Sequence, residues 1–377
     1  MRLLIKPTFV IPFVVFIVSL LFAYFFSHLG NCNLPIYQCF NRWDSGLYLD
    51  IAKQGHTLFP CDYSVLSPEE HIQWCGNAGW APLYPFLIRI FSSLFQIDYA
   101  ICAWLLTQAF YFLFLIVIAQ LMVESYALKN WLLVFMASIV PGHIYAQALF
   151  PMSLTLFCIS LLFYGLLHKS FLLAGIAGFF AVLSYSIGFL LIASLSIYFI
   201  TDLILNKRKI ELRKHFTVLI LTSLGFVSLL LYDYISTGHW DALFLIQKKY
   251  DHHLQNPFVL FRLHIERLWD YRNEIKIWIE IQTLFTCLSV IALIVYLLIK
   301  SKMEKPMIFF FIAFAMLMWF MPFSINLDVA LYRNMIVLTP LVFLLKELKI
   351  KYLIMIGLIW LSFSIPMGYL FIKSVLV

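Results

Sequence analysis

Apolar runs of about twenty residues recur from end to end of this 377-residue chain, and each is long enough to cross a hydrocarbon core as one helix. Hydrophobic residues make up 63% of the chain and charged residues 12%, against roughly 25% charged in an ordinary soluble domain. Soluble globular, disordered, collagen-like and nucleic-acid-binding classes are excluded together. What remains is an all-α polytopic membrane protein, read as a single domain over 1–377 because no repeat, linker or low-complexity stretch divides it.

Eleven spans follow from the apolar pattern, at about 8–28, 99–122, 131–150, 152–167, 171–185, 187–205, 216–235, 277–300, 307–321, 333–345 and 352–372. Several are shorter than the roughly 20 helical residues a bilayer core requires. With the amino terminus cytoplasmic, 15 of the 26 basic residues fall in short loops on one side, among them Lys207, Arg208, Lys209, Arg213 and Lys214. Lysine and arginine in short loops set orientation. Two long segments, 30–98 and 236–276, are therefore expected on the extracytoplasmic side. Of the 19 carboxylates, 14 lie on that side too, an excess that points to chemistry there. The first apolar run is long and lacks a small-x-small exit, so a retained span is expected rather than a cleaved signal. The basic run 206–215 reads as a topology signal and a contact for anionic lipid.

Four of the seven cysteines, Cys32, Cys39, Cys61 and Cys75, lie in the first long segment, where an oxidising face would allow one or two disulfides. Cys102, Cys158 and Cys287 sit in apolar spans and read as small core hydrophobes.

A connection of about seventy residues is far longer than two spans need, and such loops are functional or disordered. Within it, Trp43, Leu47 and Ile51 recur four apart, as on one face of an interfacial helix with Trp43 and Tyr48 at headgroup level. Asp44 would stand close to that stripe near the membrane boundary. The alternative for Asp44 is a helix N-cap, which orphan backbone amides favour. Asp50 lies about 120° round the helix. The two acids would not flank one bond, as a paired-carboxylate hydrolase requires.

The block Arg42-Trp43-Asp44-Ser45-x-x-Tyr48-Leu49-x-Ile51-Ala52-x-x-Gly55, followed by Pro82-Leu83-Tyr84-Pro85-x-Leu87-Ile88-Arg89, resembles the signature of the PIG-V family. Weaker similarity continues through Pro141-Gly142-His143, Thr237-Gly238 with Gln247, and Arg333 to Pro340. The resemblance implies a GT-C-type bundle of about eleven membrane helices and an inverting sugar transfer on the extracytoplasmic or lumenal face. The donor would be a polyprenyl-phosphate sugar, mannose by the family's habit, and the acceptor a lipid-linked or glycan hydroxyl. It implies Asp44 as the catalytic acid, which fits the need to take a proton from a poor nucleophile. The leaving phosphate calls for cations, with Arg333 first and Arg42 and Arg89 as competitors. Trp43 and Tyr84 would offer apolar or stacking surfaces, and His143 and Gln247 substrate contacts. Bacterial inner membrane is the expected location, with the endoplasmic reticulum as the alternative.

The second long segment carries His239, Asp241, Asp251, His252, His253 and Asp270, whose spacing matches no metal template, so no cofactor is expected and a divalent ion is left open. Phe258, Phe261, Ile265 and Leu268 recur at three and four, as in a second interfacial helix. A flippase of lipid-linked sugars would place ionisable residues at mid-membrane, where these spans are almost wholly apolar. A non-catalytic subunit of a glycosylation complex is the other alternative.

Overall fold

The computed structural model describes residues 6–61, 73–206, 209–248, 254–272, 274, 276–325 and 331–375. It is an all-α membrane protein, and among the described residues six helices are long and apolar enough to cross a bilayer. Among the described residues the only sheet is a two-stranded ribbon of β1 (Leu58–Pro60) and β2 (Trp74–Gly76). Asp251, His252 and His253 lie outside the described residues.

In chain order the helices are α1 (Pro7–Leu29), α2 (Ile36–Cys39), α3 (Ser45–Gln54), α4 (Leu83–Phe95), α5 (Tyr99–Met122), α6 (Leu128–Ala137), α7 (Met152–Leu167), α8 (Phe171–Ser184) and α9 (Leu190–Asn206). There follow α10 (Lys209–Thr237), α11 (Ala242–Lys248), α12 (Pro257–Asp270), α13 (Ile277–Lys300), α14 (Lys305–Ala315), α15 (Met321–Ser324), α16 (Leu331–Asn334) and α17 (Ile350–Ile372). The six long ones fall on α1, α5, α10, α13, the α14–α15 run and α17, at six of the eleven expected positions.

The other five expected spans are short or irregular. The third breaks after Ala137, and a 3₁₀ turn at His143–Ala146 carries the chain into α7. The tenth becomes α16 followed by a 3₁₀ segment, Met335–Glu347. At a rise of about 2 Å per residue, thirteen such residues reach about 26 Å, further than the same residues would as α-helix. Irregular backbone at membrane depth is tolerated where protein covers it, and Met335 to Leu344 are buried at nearly every position. Helix α7 is buried on most sides as well, packed between α5, α8 and the 3₁₀ segment.

Small residues let the helices approach. A Cβ on Gly178 of α8 would stand 2.2 Å from Thr222 Oγ1 of α10, so glycine is what allows that crossing.

Both cysteine pairs of the first long segment are disulfides, Cys32–Cys39 and Cys61–Cys75. The second closes the ribbon, in which Phe59 faces Cys75. Cys102, Cys158 and Cys287 are free and buried.

Helix α3 does not bury the stripe its spacing suggests. Ser45, Tyr48, Leu49 and Ala52 face inward, together with Ile51, while Leu47 is half-buried and Trp43 is exposed. Helix geometry begins only at Ser45, so Trp43 never joins the helical face. Helix α3 packs on α4 with small Ser45 and Ala52 among its buried residues, and Tyr48 goes into the core instead of to headgroup level.

Helix α12 buries Leu260 and His264 and leaves Phe258, Val259, Ile265 and Trp269 exposed. Its start is set by Asn256, whose side chain accepts from Phe258 N, ahead of Pro257 at the first turn.

Candidate functional site

The chain turns sharply just before α3. Trp43 holds φ at +49°, a left-handed conformation that costs a bulky residue roughly 1–2 kcal/mol. The Cys32–Cys39 disulfide lies immediately upstream, and Arg42 Nε donates to Cys39 O at 3.2 Å while Arg42 N donates to Ser45 Oγ at 3.2 Å. This turn sets the direction of Asp44.

Asp44 occupies the N-cap position of α3 but makes no capping bond. Its carboxylate instead accepts from Arg333 Nη1 at 2.5 Å, from the other end of the chain. The two side chains are 18% and 14% exposed, so the pair is sheltered yet reachable. The guanidinium also lies 5.6 Å from the centroid of the Phe150 ring, a cation–π distance.

Aromatic side chains wall the pair. Tyr48 packs edge-on against Tyr84 and Phe150, with ring centroids at 5.9 and 6.2 Å. Tyr145 stacks on Phe150 at 5.6 Å. Burial first, and then the Asp44 carboxylate, push the Tyr48 hydroxyl well above its ordinary pKa, against the pull of Arg333. Tyr48 is therefore a neutral wall. Tyr185, from the end of α8, donates its hydroxyl to Asn334 Oδ1 beside Arg333. Residues from α3, α8, α16 and the Tyr145–Phe150 stretch thus meet at one point.

The remaining expected site residues are placed elsewhere. Tyr84 is fully buried beneath Tyr48, and its hydroxyl is engaged by Ala103 O at 2.9 Å and Thr107 Oγ1 at 2.8 Å. It supports the wall and offers no free face to a ligand. Arg89 donates to Ala52 O at 2.6 Å and Ile51 O at 3.2 Å, which satisfies carbonyls at the end of α3 and leaves its charge for the helix terminus. Arg42 is likewise turned to the Cys39 carbonyl. Of the three expected cations, Arg333 is the one joined to Asp44.

His143 is buried, its ring centroid 6.4 Å from that of Phe26. Gln247 lies on α11 against Gly79, where a Cβ would stand 2.7 Å from Ile246 Cγ2 and 3.4 Å from Gln247 Nε2. His143 is thus set against α1, and Gln247 against the first long segment. Gly79 O also accepts from Ser186 Oγ at 2.9 Å, so this glycine joins both long segments to the chain just past α8. Asp50 is exposed on α3, apart from the sheltered pair.

Sequence reasoning missed three buried histidine–carboxylate pairs. His264 Nδ1 and Glu280 are 2.5 Å apart between α12 and α13, and His215 and Asp202 are 3.1 Å apart between α10 and α9. His56, just past α3, stands 3.5 Å from Asp233 of α10, with both side chains fully buried. These contacts fasten the long segments and a helix hairpin, and no local pattern announces them. Among the described residues no group of three histidine, cysteine or acidic side chains is arranged to hold a metal ion.

Compared with known proteins, the chain matches no family model and no curated protein.

Proposed function

We propose that this protein is a membrane glycosyltransferase of GT-C type that moves a sugar, mannose by the resemblance to the PIG-V family, from a polyprenyl-phosphate donor to a lipid-linked or glycan hydroxyl. The observation that carries the reading is the ion pair between Asp44 and Arg333 in a sheltered aromatic pocket. A structural N-cap would spend its carboxylate on the helix amides; Asp44 does not.

In this reading the acceptor hydroxyl gives its proton to the Asp44 carboxylate as its oxygen bonds the anomeric carbon from one face. On the other face the bond from that carbon to the phosphate oxygen breaks. Polyprenyl phosphate leaves with the electron pair, its charge held by Arg333. The resting ion pair gives the order of events. The Arg333 guanidinium occupies the Asp44 carboxylate at 2.5 Å, and an arriving phosphate competes for the same guanidinium, which leaves the carboxylate open to the acceptor hydroxyl once donor is bound.

The site belongs on the extracytoplasmic face in this account. Short-loop lysine and arginine set that orientation, and two disulfides in the segment that carries Asp44 suit an oxidising compartment. The exposed Phe258, Ile265 and Trp269 of α12 suit a helix lying on the membrane surface. The shorter apolar helices α6 to α9 and the 3₁₀ segment would complete a bundle of about eleven crossings.

The reading is tested by incubating purified protein in liposomes with radiolabelled polyprenyl-phosphate mannose and membrane lipids. Label in a new lipid product or glycan supports it. Label that crosses the bilayer on unchanged donor, or stays where it was added, refutes it.

A further inference from the structure

Two donors at the ion pair stay idle while Arg333 holds Asp44. Arg333 Nε and Asn334 Nδ2 have no hydrogen-bond partner among the described residues. Asn334 is 1% exposed, so bulk solvent does not reach its amide, and an unmet buried donor is costly. Tyr185 donates to Asn334 Oδ1, which fixes the amide with its NH₂ group unspent. A cationic N–H next to a neutral one, both out of solvent, suits a phosphate oxygen with several lone pairs.

An apolar cleft begins at the next residue. Met335 lines a cavity of about 420 Å³ that runs between α13, the 3₁₀ segment and α17, walled by side chains such as Phe285, Leu293, Leu341 and Trp360. It continues along the 3₁₀ segment as far as Leu345 and Leu348. Arg333 and Asn334 directly precede Met335 in the chain, which puts the polar pair one residue from the apolar lining.

We propose that Arg333 Nε and Asn334 Nδ2 form a two-donor phosphate site, and that the one hydrocarbon chain of a polyprenyl phosphate leaves it through this cleft. The choice of lipid rests on the glycosyltransferase reading, whereas the donor pair and the cleft stand on geometry. A glycerophospholipid fits less well. It carries two chains and keeps its phosphate in water, while the Asn334 amide is withdrawn from solvent.

The test is binding alone. Full-length protein in nanodiscs is titrated with sugar-free polyprenyl phosphate, with geranyl phosphate and with phosphatidylglycerol, read by native mass spectrometry after each variant's melting has been checked. Asn334→Leu should weaken both prenyl phosphates at least about tenfold, the worth of one hydrogen bond to a charged group. Asn334→Asp keeps the size and the acceptor for Tyr185 but reverses the electrostatics, and should weaken them further. Ala292→Trp fills the cleft from an exposed position and should weaken the long chain while sparing geranyl phosphate. Asp44→Asn removes the negative charge that competes for Arg333 and should bind polyprenyl phosphate at least as tightly as wild type.

Binding indifferent to Asn334→Asp overturns the head site. Equal weakening of both chain lengths by Ala292→Trp, or phosphatidylglycerol binding as tight as polyprenyl phosphate, overturns the assignment of the cleft. Asn334-dependent binding without any sugar transfer would refute the enzyme reading and leave this site standing. Transfer that proceeds with binding indifferent to Asn334 would do the reverse.

Discussion

Asp44 and Arg333 are separated by 289 residues of chain, yet the guanidinium donates to the carboxylate at 2.5 Å. Partial burial makes this more than a surface contact, because removing one partner leaves the other charge with little water to replace it. The pair also joins the beginning of α3 to the entrance of the 3₁₀ segment, so the acid and the cation are placed by one packing arrangement.

Arg333→Lys keeps the charge but replaces a planar fork with a point charge that cannot reach both Asp44 and a phosphate in the same way. Sugar transfer should fall by about 10²-fold, as when one transition-state donor is removed. The loss should appear mainly in kcat, since the phosphate charge develops as the bond breaks. Steady-state kinetics over donor concentration checks this; a pure KM effect would make Arg333 a ground-state contact.

Trp43 tests the backbone rather than the ring. Gly and Asn adopt φ near +49° readily and a β-branched residue does not. Trp43→Asn should keep Asp44 aimed at Arg333 and retain most activity, whereas Trp43→Val should lose at least about tenfold more, given that a misplacement of about 1 Å can cost about 10²-fold. If both variants lose activity equally, the indole itself is the contact that matters.

The His264–Glu280 pair should behave as a buried clasp between α12 and α13. His264→Leu or Glu280→Leu alone leaves its partner buried and unpaired and should cost about 3–5 kcal/mol, while the double replacement by leucine should recover most of that. Denaturant melts of the three variants in detergent decide the matter. Additive losses would contradict the clasp.

Thiol labelling reports the topology. An impermeant maleimide applied to the extracytoplasmic face should label Cys32, Cys61 and Cys75 only after reduction, because both pairs are closed, while reduced Cys39 should stay protected because it is fully buried. Cys102, Cys158 and Cys287 should stay unlabelled until the protein is denatured, being buried. Labelling of reduced Cys61 and Cys75 from the cytoplasmic face alone would invert the arrangement.

Much of this could be read from local pattern. Long uninterrupted apolar runs became long helices, because a lipid-facing helix must be apolar along its whole length. Residues near Ala137 and after Asn334 read as spans too, but became a broken helix and a 3₁₀ segment, since a segment walled by protein answers to its neighbours rather than to lipid. Asp44 and Arg333 stood out by motif, whereas their contact had no local trace. The same holds for Tyr185 with Asn334 and for His56 with Asp233, each joined only by tertiary packing. Tyr84 and Arg89 show the converse. Both belong to a recognisable block, and both are occupied in holding α3 and the wall of the pocket.

The most direct test is the transfer assay on Asp44→Asn in liposomes beside wild type, with membrane insertion and melting shown to match. An isosteric amide keeps a hydrogen bond to Arg333 but cannot accept the acceptor's proton. The account predicts that transfer from polyprenyl-phosphate mannose drops by about 10²–10⁴-fold while polyprenyl phosphate still binds. Wild-type transfer by Asp44→Asn would contradict it.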